Sequence, residues 1–220
     1  GKMGPVHINV PFNEPLYQTV SSMHLFATPT SSPQKTTIIK ISASNLKTWN
    51  NSKKKLVLVG VNPPNSIEAS VIAKLANDPS VIVLTETTSN LHHPNFFPFI
   101  DQLITPLQDS QYKMLQPDLL LTFGGLIISK RIKAFLRNYK PKQHWHIDPY
   151  NANDTFFSLS KHFHFPPNLF LKQLFKLAVT TQSDYFDFWQ SVKLKRLKSH
   201  QQYLKSCLLY TSDAADEQFG

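Results

Sequence analysis

A chain of 220 residues, 41% hydrophobic and 12% aromatic, can fill the core of one α/β domain with pieces of its neighbours, or of two small domains. No apolar run approaches the roughly 20 residues of a membrane span and no signal-peptide pattern opens the chain, which sets membrane and exported classes aside. A single cysteine, Cys207, excludes an internal disulfide framework and fits a reducing, cytoplasmic setting, while the net charge of +9 admits nucleic acid or small anions as partners.

In chain order, Val6, Ile8 and Val10 alternate with His7 and Asn9 and predict a strand ending at Pro11. With no partner nearby, residues 1–16 are expected to be the end of a domain whose beginning lies upstream. Residues 17–50 have linker composition, rich in Ser, Thr, Pro and Asn, with one β-branched run from Thr36 to Ile41 that suits an edge strand. The triplet Lys53-Lys54-Lys55 suits phosphate or, at a domain edge, a solvated face.

Strand–helix units follow. Leu56–Val61 is the first buried strand, Asn65 and Glu68 have capping-box spacing, and Ile67, Val71, Ile72 and Leu75 give the next helix its apolar face. Val81–Leu84 is a second strand, and a helix is predicted over about residues 97–107. Pro117–Arg137, PDLLLTFGGLIISKRIKAFLR, is the stretch on which the rest is organised. A nearly continuous apolar run suits a strand buried on both faces, Gly124-Gly125 suits a tight turn, and a helix follows with Ile128, Ile132, Phe135, Leu136 and Tyr139 on one face. Ser129 can cap its first turn. Free N–H groups at a helix start form an anion site, with Lys130 and Arg131 at its mouth; the plainer reading is that these cations only face solvent. Gln143–Ile147 is the next strand. Alternation of this kind predicts an α/β fold, a doubly wound Rossmann-like parallel sheet, over residues 51–182.

A dinucleotide site is argued against by the residues after the first strand. Gly60 is followed by Val61, Asn62, Pro63 and Pro64, and two prolines remove amide donors where a pyrophosphate needs them. The spaced pairs His144/His146 and His162/His164 suit metal ligation on a strand, but no cysteine is near and Asp148 and Asp154 are isolated, so no metal site is assigned. Aromatic and basic residues do not interleave as in RNA- or DNA-reading motifs, which disfavours nucleic acid. Residues 183–206 read as a basic connector helix, with Phe188, Val192 and Leu194 among Lys193, Lys195, Arg196 and Lys198. Residues 207–220 differ in kind: CLLYTSDAADE resembles the in-frame translation of a sequencing-library adapter, and it is set apart from fold reasoning as an adapter-derived artefact.

The blocks GPVHINVPFNEPLY, LVGVNPPN, VLTETTSNLHHPNF, DLLLTFGGLIISKRIKAFLR and HWHID, in that order, resemble the 2-succinyl-5-enolpyruvyl-6-hydroxy-3-cyclohexene-1-carboxylate synthases of menaquinone biosynthesis. That resemblance covers about residues 1–206 and implies a thiamine-diphosphate transferase of three domains. Residues 1–16 then correspond to the end of the pyrimidine-binding domain, 17–50 to a linker, 51–182 to the central domain and 183–206 to the connector toward the diphosphate-binding domain. It further implies Mg²⁺ or Mn²⁺ with the cofactor, 2-oxoglutarate and isochorismate as substrates, and a homo-oligomeric full-length enzyme. The family role in contacting substrate carboxylate falls on Lys130, with its neighbour Arg131 as a second candidate. None of the six glycines precedes an aspartate, so the Gly-Asp-Gly metal motif is absent, and the region bearing the catalytic glutamate is expected upstream of residue 1. The chain is therefore expected to be an inactive fragment, binding neither cofactor nor metal alone. Two other readings stand beside this one: a free-standing Rossmann-like module that binds an anion or a partner through the Lys130 loop, and a basic nucleic-acid-binding protein.

Overall fold

The computed structural model describes residues 7–11, Ser21 and residues 40–206. By contacts the chain divides into residues 1–38 and 39–220. Expectations for residues 1–6, 12–20, 22–39 and 207–220 lie outside the described residues. Within the first unit, residues 7–11 form no strand, and Ile8 and Val10 are 76% and 56% exposed. The alternation there is real, but no neighbouring strand among the described residues takes its backbone hydrogen bonds.

The second unit carries five strands: β1 Lys55–Val59, β2 Val81–Thr85, β3 Leu119–Phe123, β4 Gln143–Ile147 and β5 Lys161–Phe163. All pair in parallel, in the order β2-β1-β3-β4-β5. Every residue of β1, β2 and β3 is buried, which is why these strands read as continuous apolar runs. Successive side chains enter opposite layers: Val57, Leu121 and Trp145 one, Leu56, Leu58 and Leu120 the other. Helices α1 (Ala43–Asn51), α2 (Ala69–Ala76) and α6 (Pro167–Leu177) contribute to the first layer. Helices α3 (Ile100–Ile104), α4 (Asp109–Leu115), α5 (Lys130–Asn138) and α7 (Tyr185–Ser206) contribute to the second. The sheet is doubly wound, as the sequence predicts.

Several boundaries move. The stretch read as linker to residue 50 ends in α1, whose Trp49 is fully buried against Phe175 of α6. The helix expected over 97–107 shrinks to α3: Pro98 precedes it, and Pro106, which has no N–H to donate back to the helix, follows its C-cap Thr105. The Asn65/Glu68 capping box does not form: Asn65 takes a left-handed φ of 56° in the turn, and Glu68 is the N-cap residue of α2 without a side-chain cap. Its carboxylate instead accepts from Asn168 Nδ2 and Lys172 Nζ, tying α2 to α6. Nor is α7 only a connector, since Trp189 is fully buried and Tyr185 Oη donates to the Leu115 carbonyl at 2.7 Å.

The lysine triplet is the sharpest departure from a solvated face. Lys55, the first residue of β1, is 1% exposed. Strand alternation sends its side chain into the first layer, where Nζ donates to Ser80 Oγ and Thr181 Oγ1 and stands 3.8 Å from Asp78. Burial pulls its pKa down to about 8, against the opposing pull of Asp78 and Asp118. The backbone amides of Lys53 and Lys54 both donate to the Asp118 carboxylate.

The first histidine pair is also structural. His144 Nε2 and His146 Nδ1 lie 2.9 and 2.8 Å from the Thr122 hydroxyl. The same hydroxyl lies 3.4 Å from the Trp145 carbonyl, and His144 Nδ1 is buried and unpartnered. His146 and His162 are register partners across β4 and β5, and His162 lies against the exposed His164 with ring centroids 3.8 Å apart and the rings tilted by 46°.

Removing the buried ammonium strands Asp78 and two hydroxyls, so Lys55→Ala is expected to cost about 3 kcal/mol, against about 0.5 or less for exposed Lys53→Ala. Urea unfolding of the two variants checks this. Burial first, then repulsion from His146, lowers the His144 pKa to about 4, against attraction from Asp154. The folded pKa lies below the unfolded one, so stability falls as pH drops from about 6.5 to about 4, by on the order of 3 kcal/mol from this group. Urea unfolding across that range should show the loss, and His144→Gln, whose amide reaches the place of Nε2, should flatten it.

Candidate functional site

In the order β2-β1-β3-β4-β5 the chain runs outward in both directions from β1 and β3, so a crevice opens beyond the carboxyl ends of these two strands. Two loops meet there. Gly125 N donates to Val61 O at 2.7 Å, Val61 N to Leu126 O at 3.2 Å and Gly60 N to Phe123 O at 2.9 Å. The approach is so close that a Cβ on Gly60 would sit 2.2 Å from the Gly125 carbonyl oxygen, and Gly124 turns the chain at φ +81°. These amides face each other and are spent on the loop pair itself.

The next two amides are spent as well. Glu86, just past the end of β2, accepts from Ile128 N at 3.0 and 2.8 Å through its two oxygens, and from Ser129 N at 2.7 Å. Ser129 is the N-cap of α5: its hydroxyl accepts from Ile132 N at 3.1 Å and donates to Asp101 of α3. The two amides leading into the helix start therefore face the chain's own carboxylate. Ile128, placed on the helix face in that reading, precedes the helix and is 55% exposed, while Ile127 is buried in its stead.

This corner explains how α5 tolerates its first turn. Lys130 and Arg131 occupy the first two helical positions, and no acid lies in that turn. Cations at a helix N-terminus cost stability, typically about 0.3–1 kcal/mol each, and negative charge offsets this. Glu86 supplies that charge from more than 40 residues upstream. The sequence reading missed Glu86 and Asp101 because the partners that matter here lie far along the chain, and the capping spacing of Glu86 to Ser89 points only to its own turn. The available signal was the acid-free first turn itself.

Lys130 and Arg131 do not converge. Both are exposed, but Arg131 borders a hollow of about 260 Å³ beside Tyr112, Phe135 and Tyr139, whose rings stack at 5.3 to 5.6 Å. A second cleft, about 350 Å³, lies beside Glu86, Asp101 and Ser129. Lys130 lines neither and has no ion pair among the described residues.

The corner does not suit a diphosphate cofactor. Its amides at Gly60, Val61, Gly125, Ile128 and Ser129 all have internal acceptors, and Pro63 and Pro64 have none to give. The described residues hold no group of three or more His, Cys, Asp or Glu placed for a cation. No helix among them is long and apolar enough to cross a membrane.

Comparison with known proteins gives this corner its family. A family model described as "Middle domain of thiamine pyrophosphate" matches residues 18–204. A 2-succinyl-5-enolpyruvyl-6-hydroxy-3-cyclohexene-1-carboxylate synthase of Flavobacterium johnsoniae is 52% identical over 204 residues, 91% of this chain and 37% of that protein. The synthase of the same name from Flavobacterium psychrophilum is 46% identical, over 92% of this chain and 37% of its own length. That of Christiangramia forsetii is 50% identical over 72% of this chain and 29% of its own. The chain thus spans between 29% and 37% of the length of these relatives. The matched residues and the five-stranded parallel sheet agree, and the chain belongs to the family of thiamine pyrophosphate enzyme middle domains.

Proposed function

We propose that this chain is the central segment of a 2-succinyl-5-enolpyruvyl-6-hydroxy-3-cyclohexene-1-carboxylate synthase, a cytoplasmic homo-oligomeric enzyme of menaquinone biosynthesis. In that reading, thiamine diphosphate with Mg²⁺ or Mn²⁺ supports decarboxylation of 2-oxoglutarate, and the resulting succinyl-semialdehyde unit is added to isochorismate. Residues 1–16 close the pyrimidine-binding domain and α7 leads on to the diphosphate-binding domain. The cofactor and its cation belong to those other domains, since the amides of this segment's crevice are already engaged.

The observation that carries the reading is Lys130: exposed, without an ion pair among the described residues, and held at the first position of α5 beside the crevice. Both substrates carry two carboxylates, and an ammonium fixed at this place makes a charge-assisted hydrogen bond to one of them. Arg131 faces the aromatic hollow instead and is the lesser candidate.

In the full-length enzyme, Lys130→Ala is expected to lower kcat/KM roughly ten- to a hundredfold, the worth of a contact of about 1.5–3 kcal/mol, with cofactor affinity nearly unchanged. Wild-type kinetics in that variant would return Lys130 to a merely solvated face. Calorimetric titration of the present chain with thiamine diphosphate and Mg²⁺ should show no binding. Measurable affinity would place the cofactor site inside this segment.

A further inference from the structure

We propose that Glu86 is the positioning residue for Lys130: its carboxylate fixes the first turn of α5, and through it the place from which the ammonium meets substrate. The proposal rests on the reading of Lys130 given above. Glu86 does not reach the substrate in this role. Its two oxygens engage consecutive amides, Ile128 and Ser129, the last two residues before Lys130. Three contacts to two consecutive amides fix both the position and the direction of the backbone entering the helix.

The surroundings leave that backbone little else to hold it. Leu126 and Ile128 on either side are 70% and 55% exposed, so only Ile127 anchors the loop by burial. Gly124 and Gly125 add no side chain, and the backbone bonds to Val61 reach only Gly125 N and Leu126 O, short of the two residues that lead into Lys130. Asp101 steadies the Ser129 hydroxyl from α3, but a hydroxyl rotates and an amide does not. Glu86 is itself oriented from behind. Its backbone N–H donates to Ser89 Oγ at 2.9 Å, and Ser89 Oγ donates to the Val59 carbonyl at 2.6 Å, at the end of β1. A chain of hydrogen bonds thus runs from the central strand through Ser89 and Glu86 to the residue that precedes Lys130.

Charge adds a second effect at the same atoms. The acid-free first turn carries two cations at the positive end of a helix, and Glu86 offsets them without pairing with either ammonium or guanidinium. A direct ion pair would occupy Lys130. Offsetting the helix end through its amides leaves the ammonium free for a substrate carboxylate.

A double-mutant cycle in the full-length synthase that carries this segment tests the proposal, with KM for 2-oxoglutarate and for isochorismate as the readout. Glu86→Ala should raise KM for the substrate that Lys130 contacts about tenfold while kcat changes much less. Glu86→Gln, which keeps an acceptor oxygen and loses the charge, should recover part of that loss. In the Lys130→Ala background, Glu86→Ala should have almost no further effect on KM. An effect of Glu86→Ala that simply adds to that of Lys130→Ala would make Glu86 a general structural residue and overturn the positioning role, with Lys130 still in place as the contact. Unchanged KM in Glu86→Ala would overturn it too. Wild-type kinetics in Lys130→Ala alone would instead defeat the reading of Lys130 on which the proposal stands.

Discussion

A carboxylate at the head of α5 is the contact on which the carboxyl edge of this sheet depends. Glu86 closes two amides that no backbone acceptor reaches, and it does so from the end of a different strand. The bond therefore crosses the sheet edge, joining the loop after β2 to the loop after β3 over the end of β1. The paired backbones of Gly60–Val61 and Gly124–Leu126 lie beneath it, close enough that neither Gly60 nor Gly124 can take a side chain without a shift. An edge built this way has few free donors. It suits the presentation of a charged side chain from a rigid base, and it does not suit cradling a phosphate.

The opposite edge is organised by the opposite charge. Lys55 enters the first layer of the core and joins three segments there: the Asp78–Ser80 turn before β2, Trp49 of α1 at 5.2 Å, and Thr181 between α6 and α7. An ammonium is costly to bury, and this one has two hydroxyls, a carboxylate and an aromatic face around it. That arrangement makes residues before and after the sheet part of one core. Helix α7 joins the same unit separately, through Tyr185 and Trp189 in the second layer.

Much of the fold was legible because buried parallel strands write themselves as unbroken apolar runs. β1, β2 and β3 stand where the runs predict, Ser129 caps α5 as its chemistry suggests, and α7 begins within two residues of its expected start. What was not legible came from long-range pairing. Lys55 looks like its two neighbours until strand alternation turns it inward, and Glu68 has capping spacing but bonds to α6. Proline shortened α3 at both ends, a local signal that an apolar period over 97–107 outweighed in the reading. At this corner the Ser129 cap was legible in its block of sequence, whereas the Glu86 contact, 43 positions upstream, was legible only by asking what offsets an acid-free helix start.

The central claim is that the amides leading into α5 are held by Glu86 and closed to other anions. Amide hydrogen exchange at Ile128 and Ser129 tests it directly, because neither amide has a backbone acceptor and both lie ahead of the helix. The account predicts protection comparable to that of amides in the middle of α5, lost at both positions together in Glu86→Ala. Exchange at the rate of an open loop in the unaltered chain would contradict it.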